Sequence, residues 1–126
     1  MSDAREFVKG KNVFISGPMT GLPHNNVTSF LEAHQLLNEL GARDVYDPAY
    51  EFYNDVVHGR KEREHTYYMR RCINRLSCAD MYSNFDSNHW DVMVQLDGWR
   101  DSDGCMKEHE VAMACGIRVV EMGDLL

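Results

Sequence analysis

Residues 13–48 read VFISGPMTGLPHNNVTSFLEAHQLLNELGARDVYDP, and the order of the elements predicted in them indicates the class of fold. Its first four residues are typical of a buried strand, and they lead into a loop that contains glycine and proline. A helix is predicted next, because Asn25 or Asn26 can cap its start, apolar residues follow at helical spacing and Gly41 ends it. Asp44–Pro48 is then typical of a second strand. A strand, a helix and a strand within forty residues predict a right-handed βαβ unit.

The alternation of helices and strands continues to the end of the chain. Apolar patterns predict helices at 64–78 and 104–115 and strands at 91–96 and 117–122. Asp80–Trp90 is rich in turn-forming and polar residues, so we interpret it as a surface excursion. Strands that alternate with helices predict an α/β fold: a three-layer sandwich around a small parallel sheet, of the flavodoxin or Rossmann type. A single domain, 1–126, is expected from the length.

Composition narrows the class of protein. The chain is 44% hydrophobic with a formal net charge of -7, which is typical of a globular protein and argues against binding to a nucleic-acid polymer. No apolar run is long enough to span a membrane, and the first residues lack the core of a signal peptide. We therefore expect a cytoplasmic protein with no membrane partner.

The cysteines and histidines do not suggest a metal site. None of the four cysteines stands in a CxxC pair, and none of the six histidines stands in an HxxxH pair. Reduced cytosolic thiols are the simpler interpretation, so neither a metal nor another cofactor is expected.

Ligands of open parallel sheets bind beyond the carboxyl ends of the strands, where the strand order reverses. Three segments of this chain follow predicted strands and are expected at that edge: the loop at 17–21, residues 47–48, and residues 97–104. The residues expected to contact substrate there are Gly17, Pro18, Met19, Thr20, Gly21 and Asp47.

One carboxylate of the last helix has an unexpected position. At about 100° per residue, Glu108 lies on the stripe that packs on the sheet, together with Gly104, Val111, Ala112 and Cys115. A buried carboxylate is costly unless it is paired or used, although the helix N-terminus stabilises its charge. Two interpretations stay open at this point: a structural carboxylate bound to loop amides or an arginine, and a catalytic one.

Three motifs occur in order along the chain: VFISGPMTG at 13–21, YYMRR at 67–71 and DGWxxSxGxxxEHEVAxAxG at 97–116. Together they resemble the family of proteins similar to nucleoside 2-deoxyribosyltransferases, whose relatives include the 2'-deoxynucleoside 5'-phosphate N-hydrolases. The resemblance extends from about Asn12 to Met122. It implies the fold of that family, and a homodimer or larger homo-oligomer in which a neighbouring chain completes the pocket.

The resemblance also implies a reaction. It assigns Glu108 as the nucleophile that attacks the anomeric carbon, displaces the base and forms a covalent glycosyl-enzyme, which water or another base resolves. The expected function is therefore cleavage or exchange of the N-glycosidic bond of a (deoxy)nucleoside or its 5'-monophosphate. Trp99, Ser102 and Gly104 are further substrate-binding residues that the resemblance implies.

The role of Ser102 leaves the 5' end of the substrate open. In the related monophosphate hydrolases a serine at this position contacts phosphate, and a hydroxyl beside helix amides suits that role. The same serine is also suited to cap the helix. Both a monophosphate and a free nucleoside therefore remain possible substrates.

Two departures from the family pattern, at Phe14 and Cys72, support an alternative function, and a third, at Thr20, weakens the case for a 5'-phosphate. Phe14 stands where relatives have a tyrosine that positions the nucleophile, and Cys72 where many have an aspartate that handles a proton. Thr20 stands where phosphate-cleaving relatives have an arginine. Because general acid help is worth about a hundredfold in rate, losing it affects turnover more than binding. The alternative is a catalytically impaired nucleotide-binding or sensing module of the same fold.

Overall fold

The structure is a computed structural model that describes residues 3–19, 21–49, 58–59, 65–77 and 90–126. Its strands are β1 (Asn12–Ser16), β2 (Asp44–Tyr46), β3 (Val92–Gln95) and β4 (Arg118–Glu121). Its helices are α1 (Asp3–Phe7), α2 (Val27–Glu39), α3 (His65–Ser77) and α4 (Asp103–Ala114). Short 3-10 turns lie at Pro23–Asn26, Trp99–Asp101 and Met122–Leu125.

The four strands form one parallel sheet in the order β2-β1-β3-β4. The predicted α/β fold is therefore confirmed, and each predicted strand and helix appears within a few residues of its expected bounds. The exception is α1, which the apolar pattern did not predict because five residues are too few to show a period. The prediction for Asp80–Trp90 lies outside the described residues, apart from Trp90 itself.

Helices cover both faces of the sheet, as the alternating side chains of the strands require. On one face, α1 and α2 pack on the odd-numbered residues of β1 and the even-numbered residues of β3, in a core that contains Val13, Ile15, Phe30, Leu37, Val92 and Val94. On the other face, α3 and α4 pack on a smaller core that contains Phe14, Cys72, Leu76, Met93, Ala112 and Ile117. All five residues of β1 are buried, because this strand lies inside the sheet.

The order of the strands reverses beside β1. The chain places β2 on one side of β1 and then crosses to place β3 on the other. The carboxyl ends of β1 and β3 therefore form the switch point at which parallel sheets bind ligands. Ser16 pairs with Gln95 there, and Gln95 pairs with Glu121 of β4. These three polar side chains, on the α4 side of the sheet, are called the polar row below.

The start of α2 differs from the prediction. Asn26 occupies the N-cap position, but its side chain makes no capping hydrogen bond, and its φ of 63° is left-handed. Its Nδ2 instead donates to the carbonyl oxygen of Pro18 at 2.9 Å. The Asn26 side chain therefore does not cap α2, and its hydrogen bond to Pro18 connects the loop after β1 to the start of this helix. No helix in the described part of the chain is long and apolar enough to cross a membrane.

Candidate active site

The helix α4 presents Glu108 to the sheet, as its spacing predicts. The buried residues of α4 are Gly104, Cys105, Glu108 and Ala112, and only 5% of Glu108 is exposed. The prediction for Cys115 is wrong, because the helix ends at Ala114 and Cys115 is an exposed C-cap. The buried side of α4 thus places the Glu108 carboxylate between this helix and the sheet.

The two oxygens of Glu108 have different surroundings. The Ser16 hydroxyl at the end of β1 donates to Oε1 at 3.1 Å, whereas Oε2 is buried with no hydrogen-bond partner among the described residues. Burial raises the pKa of Glu108 from 4.5 to about 7, and the hydrogen bond from Ser16 opposes the shift. A carboxylate with a pKa near neutrality and one free oxygen is suited to act as a nucleophile or a general base.

Gln95 joins the turn of α4 that carries Glu108 to the sheet. Its Nε2 donates to the carbonyl oxygen of Cys105 at 3.4 Å, and its Oε1 lies 2.9 Å from His109 Nδ1. Because the amide oxygen can only accept, Nδ1 of His109 carries the proton of this bond. Gln95 therefore holds residues on both sides of Glu108, at the position next to Ser16 in the polar row.

Trp99 lies beside His109, and its described contacts are with other residues of the protein. Its indole is 7% exposed and stacks on the His109 ring, with the centroids 4.8 Å apart and the planes at 15°. Its Nε1 donates to Glu121 Oε1 at 3.1 Å, and Arg100 Nη1 donates to the same oxygen at 2.8 Å. These hydrogen bonds, first that of Trp99, lower the pKa of Glu121. The predicted contact of Trp99 with substrate stays a prediction.

Ser102 caps α4. Its hydroxyl oxygen accepts from the Cys105 amide at 3.3 Å, with extended backbone at the cap residue, as in an ordinary N-cap. Ser102 is half-buried, and the next residues, Asp103 and Gly104, begin the helix. Burial raises the pKa of the neighbouring Cys105 thiol, with hydrogen bonding to Ser102 opposing it. Of the two roles left open for Ser102, the capping role is therefore present, and a phosphate contact stays a prediction.

The loop after β1 packs against the segment after β3. A Cβ on Gly17 would lie 2.6 Å from Leu96 Cδ1, so any larger residue at this position would require the Leu96 side chain to move. Gly98 has a φ of 86°, and a Cβ there would contact the Pro18 ring at 3.6 Å. Gly17, Pro18 and the segment before α4 thus meet at the switch point. Met19 packs on the core under α2, Gly21 has a φ of 81°, and Thr20 lies outside the described residues.

Asp47 faces away from α4. Its Oδ2 lies 3.5 Å from His34 Nδ1 on α2, and its Oδ1 accepts from the Ala49 amide at 3.0 Å. Since α2 covers the opposite face of the sheet, the described contacts do not join Asp47 to Glu108. Its role in substrate binding stays a prediction.

A groove of about 640 Å³ runs between α3 and α4. Its lining residues are Thr66, Met69, Arg70, Ile73, Asn74, Ser77, Asp103, Gly104 and Lys107. Arg70 and Lys107 add positive charge, although Lys107 also pairs with Asp103 at 2.8 Å. Glu108 is not part of this lining, but Gly104, one helical turn before it, is.

Three strands end in a polar residue, and the sequence analysis assigned no role to any of them. Ser16, Gln95 and Glu121 each hold a residue of α4 or of the segment before it. Their position at the carboxyl ends of strands pointed to this edge of the sheet, but the residues that they hold are set by tertiary packing; Ser16 and Gln95 are buried there, and Glu121 is partly exposed. His109, next to Glu108, was also missed.

A family model described as a domain of unknown function (DUF4406) matches residues 11–121. No curated protein and no solved structure matches the chain. In the described residues, no group of three histidine, cysteine, aspartate or glutamate side chains could hold a metal ion.

Proposed function

The chain belongs to the family described as a domain of unknown function (DUF4406), and because that description assigns no activity, we propose one from the site together with the resemblance of its motifs to nucleoside 2-deoxyribosyltransferases. The protein cleaves or exchanges the N-glycosidic bond of a (deoxy)nucleoside or its 5'-monophosphate, with Glu108 as nucleophile. It acts on this small molecule in the cytoplasm, without a metal or another cofactor.

The observation that carries the proposal is the state of Glu108. The side chain is buried at the switch point, Oε1 is held by Ser16, and Oε2 has no hydrogen-bond partner among the described residues. A purely structural carboxylate in such a place is expected to be paired with an arginine or with amides. The described contacts of Glu108 include neither, which favours the catalytic interpretation.

The reaction proceeds in two balanced steps. An oxygen of ionised Glu108 forms a bond to the anomeric carbon, while the bond between that carbon and the base nitrogen breaks and the base leaves with the electron pair. The base takes its proton from solvent. Water or a second base then attacks the same carbon and releases the glutamate, and the proton of the attacking group passes to solvent.

The surroundings of Glu108 support a nucleotide as substrate. The first amides of α4 lie about one turn before Glu108, Ser102 lies six residues before it, and helix N-termini favour anions. Arg70 and Lys107 add positive charge to the groove that reaches Gly104. A 5'-monophosphate bound there would have its sugar beside Glu108. We therefore propose a monophosphate in preference to a free nucleoside.

Release of free base tests the function. The unmodified protein is incubated with a panel of ribonucleosides, deoxyribonucleosides and their 5'-monophosphates, and products are separated by liquid chromatography. We expect release from at least one member, faster for the monophosphate than for its nucleoside. Loss of the nucleophile in Glu108→Gln should lower the rate about a thousandfold or more.

Glu110→Gln is the matched control, because Glu110 lies two residues further along α4 and is exposed. It removes the same charge from the same helix and should retain the full rate. Equal rates for Glu108→Gln and the unmodified protein would exclude Glu108 as nucleophile. If no member of the panel released its base, the proposed enzymatic activity would be excluded.

Two packing observations favour a second candidate, a nucleotide-binding or sensing module without turnover. Phe14 has no hydroxyl to offer Glu108, and its ring is fully buried and stacks on Tyr46 with the centroids 5.0 Å apart. Cys72 is buried in the same core as Phe14 and Leu76. This module would show a higher melting temperature with a nucleotide but no release of base. A melting temperature unchanged by every nucleotide would exclude it.

A further inference from the structure

We infer that Ser16 is a positioning residue for Glu108. The Ser16 hydroxyl holds Oε1 of Glu108 and leaves Oε2 as the oxygen that reacts. Only the assignment of Oε2 as the reacting oxygen rests on the proposed function. The hydrogen bond and its effect on the carboxylate are properties of the protein whatever its substrate.

The hydroxyl of Ser16 lies in a rigid setting. Ser16 ends β1, inside the sheet, and none of its surface is exposed. Its carbonyl oxygen accepts from the Leu96 amide at 2.8 Å, and Gly17 after it is packed against the Leu96 side chain. The Oγ position is therefore fixed by the central pair of strands, and not by a flexible loop.

Glu108 depends on this one bond. The 3.1 Å contact with Ser16 is its only hydrogen bond among the described residues, and it comes from an element far away in sequence. The Cys105 thiol lies within hydrogen-bonding reach of the same hydroxyl. Because the hydroxyl has one proton, and a bond to an ionised acceptor is the stronger, it donates to Oε1 of the carboxylate.

The consequence is an asymmetric nucleophile. With Oε1 occupied, rotation of the carboxylate is restricted and the lone pairs of Oε2 stay unused. A nucleophile whose orientation is fixed before the substrate arrives loses less freedom in the transition state. Ser16 should therefore affect the turnover number and the ionisation of Glu108, with little effect on how tightly substrate binds.

The first experiment needs no substrate. The protein is labelled with carbon-13 at the glutamate carboxyl, and the Glu108 signal is identified by its absence in Glu108→Gln. A pH titration by NMR then gives the midpoint of Glu108, about 7 in the unmodified protein. Since the Ser16 hydroxyl stabilises the ionised form, Ser16→Ala should raise this midpoint by about one pH unit.

Two further variants separate positioning from stability. Val13→Ala removes apolar volume from the same strand but on the opposite face of the sheet, so it should lower the melting temperature without moving the midpoint. Ser16→Cys keeps a weak donor at nearly the same volume and should give an intermediate midpoint. An unchanged midpoint in Ser16→Ala, or an equal shift in Val13→Ala, would overturn the inference.

The second experiment measures base release. Ser16→Ala should lower kcat about tenfold, with KM within about twofold of the unmodified protein. A loss confined to KM would show that Ser16 binds substrate and would overturn the positioning role. If the unmodified protein releases no base, the proposed function fails, while the NMR titration still decides whether Ser16 positions Glu108.

Discussion

Glu108 is a residue whose chemistry opposes the stability of the fold. Burial of the carboxylate raises its pKa from 4.5 to about 7, so between these two pH values the folded chain binds a proton that the unfolded chain has lost. Stability from this residue is therefore greatest at low pH and is lost as the pH rises through that window. Above it, an ionised, half-satisfied carboxylate remains in the interior, which is a cost that function can explain and packing cannot.

Glu108→Gln should consequently stabilise the protein, but only at high pH. A neutral amide of the same size avoids the ionisation penalty, which is about 3 kcal/mol at pH 8 for this difference in pKa and close to zero at pH 4. Urea unfolding at both pH values measures it. Glu110→Gln, on the exposed side of the same helix, should change the free energy of unfolding little at either pH. An effect of Glu108→Gln that is the same at pH 4 and pH 8 would show that the carboxylate is not perturbed.

At the scale of elements, α4 and the ends of β1 and β3 make the site together. The helix supplies Glu108, and the polar row supplies the groups that hold its turn. Ser102 caps the N-terminus of this helix by accepting from the Cys105 amide. The position of Glu108 thus depends on how one helix end is attached to two strand ends.

Ser102→Ala should loosen this helix start. Loss of the cap leaves the Cys105 amide without its acceptor and should lower the free energy of unfolding by about 1 kcal/mol. Urea unfolding without ligand measures the cap alone. The same measurement with a nucleoside and with its 5'-monophosphate tests the phosphate contact: if Ser102 also binds phosphate, the extra stabilisation by the monophosphate shrinks in the variant. Ser102→Asp, which retains a capping oxygen, should restore the stability without ligand and not the phosphate effect.

Apart from α1, the described elements could be predicted from the sequence because each has a local signal. The period of α4 was sufficient to place Glu108 on its buried stripe, and the apolar runs located the strands. The partners of Glu108 had no such signal, because Ser16 and Gln95 become neighbours only through a strand register that tertiary packing sets. Asn26 shows the same limit: its sequence position suits a cap, but its side chain makes no capping bond and donates to the Pro18 carbonyl, a contact that only the folded loop creates.

At the scale of the whole molecule, the expected homo-oligomer stays a proposal, and the outer face of α4 supports it. Met106 and Met113 are 38% and 61% exposed there. Large exposed methionines on one face are common at interfaces between chains. A partner at this face would lie beside the N-terminus of α4.

Light scattering after size-exclusion chromatography should therefore give at least twice the mass of one chain. Met113→Lys should lower that mass, because a charge at an apolar contact opposes association. Leu31→Lys is the control, since Leu31 is 51% exposed on α2, on the other side of the sheet. A single-chain mass for the unmodified protein would exclude the oligomer, and an unchanged mass for Met113→Lys would exclude this face as its interface.

The central position of β1 has a consequence for how the chain is made. Its first partner, β2, is synthesised soon after it, but β3 follows a separation of 79 residues, as in the bond between Asn12 and Asp91. Until Val92 leaves the ribosome, β1 keeps one bare edge of unpaired amides and carbonyls, beside apolar side chains that the finished core conceals. We expect nascent chains from which Val92 has not emerged to require a chaperone, and chains whose β3 and β4 have left the ribosome to resist proteolysis at β1.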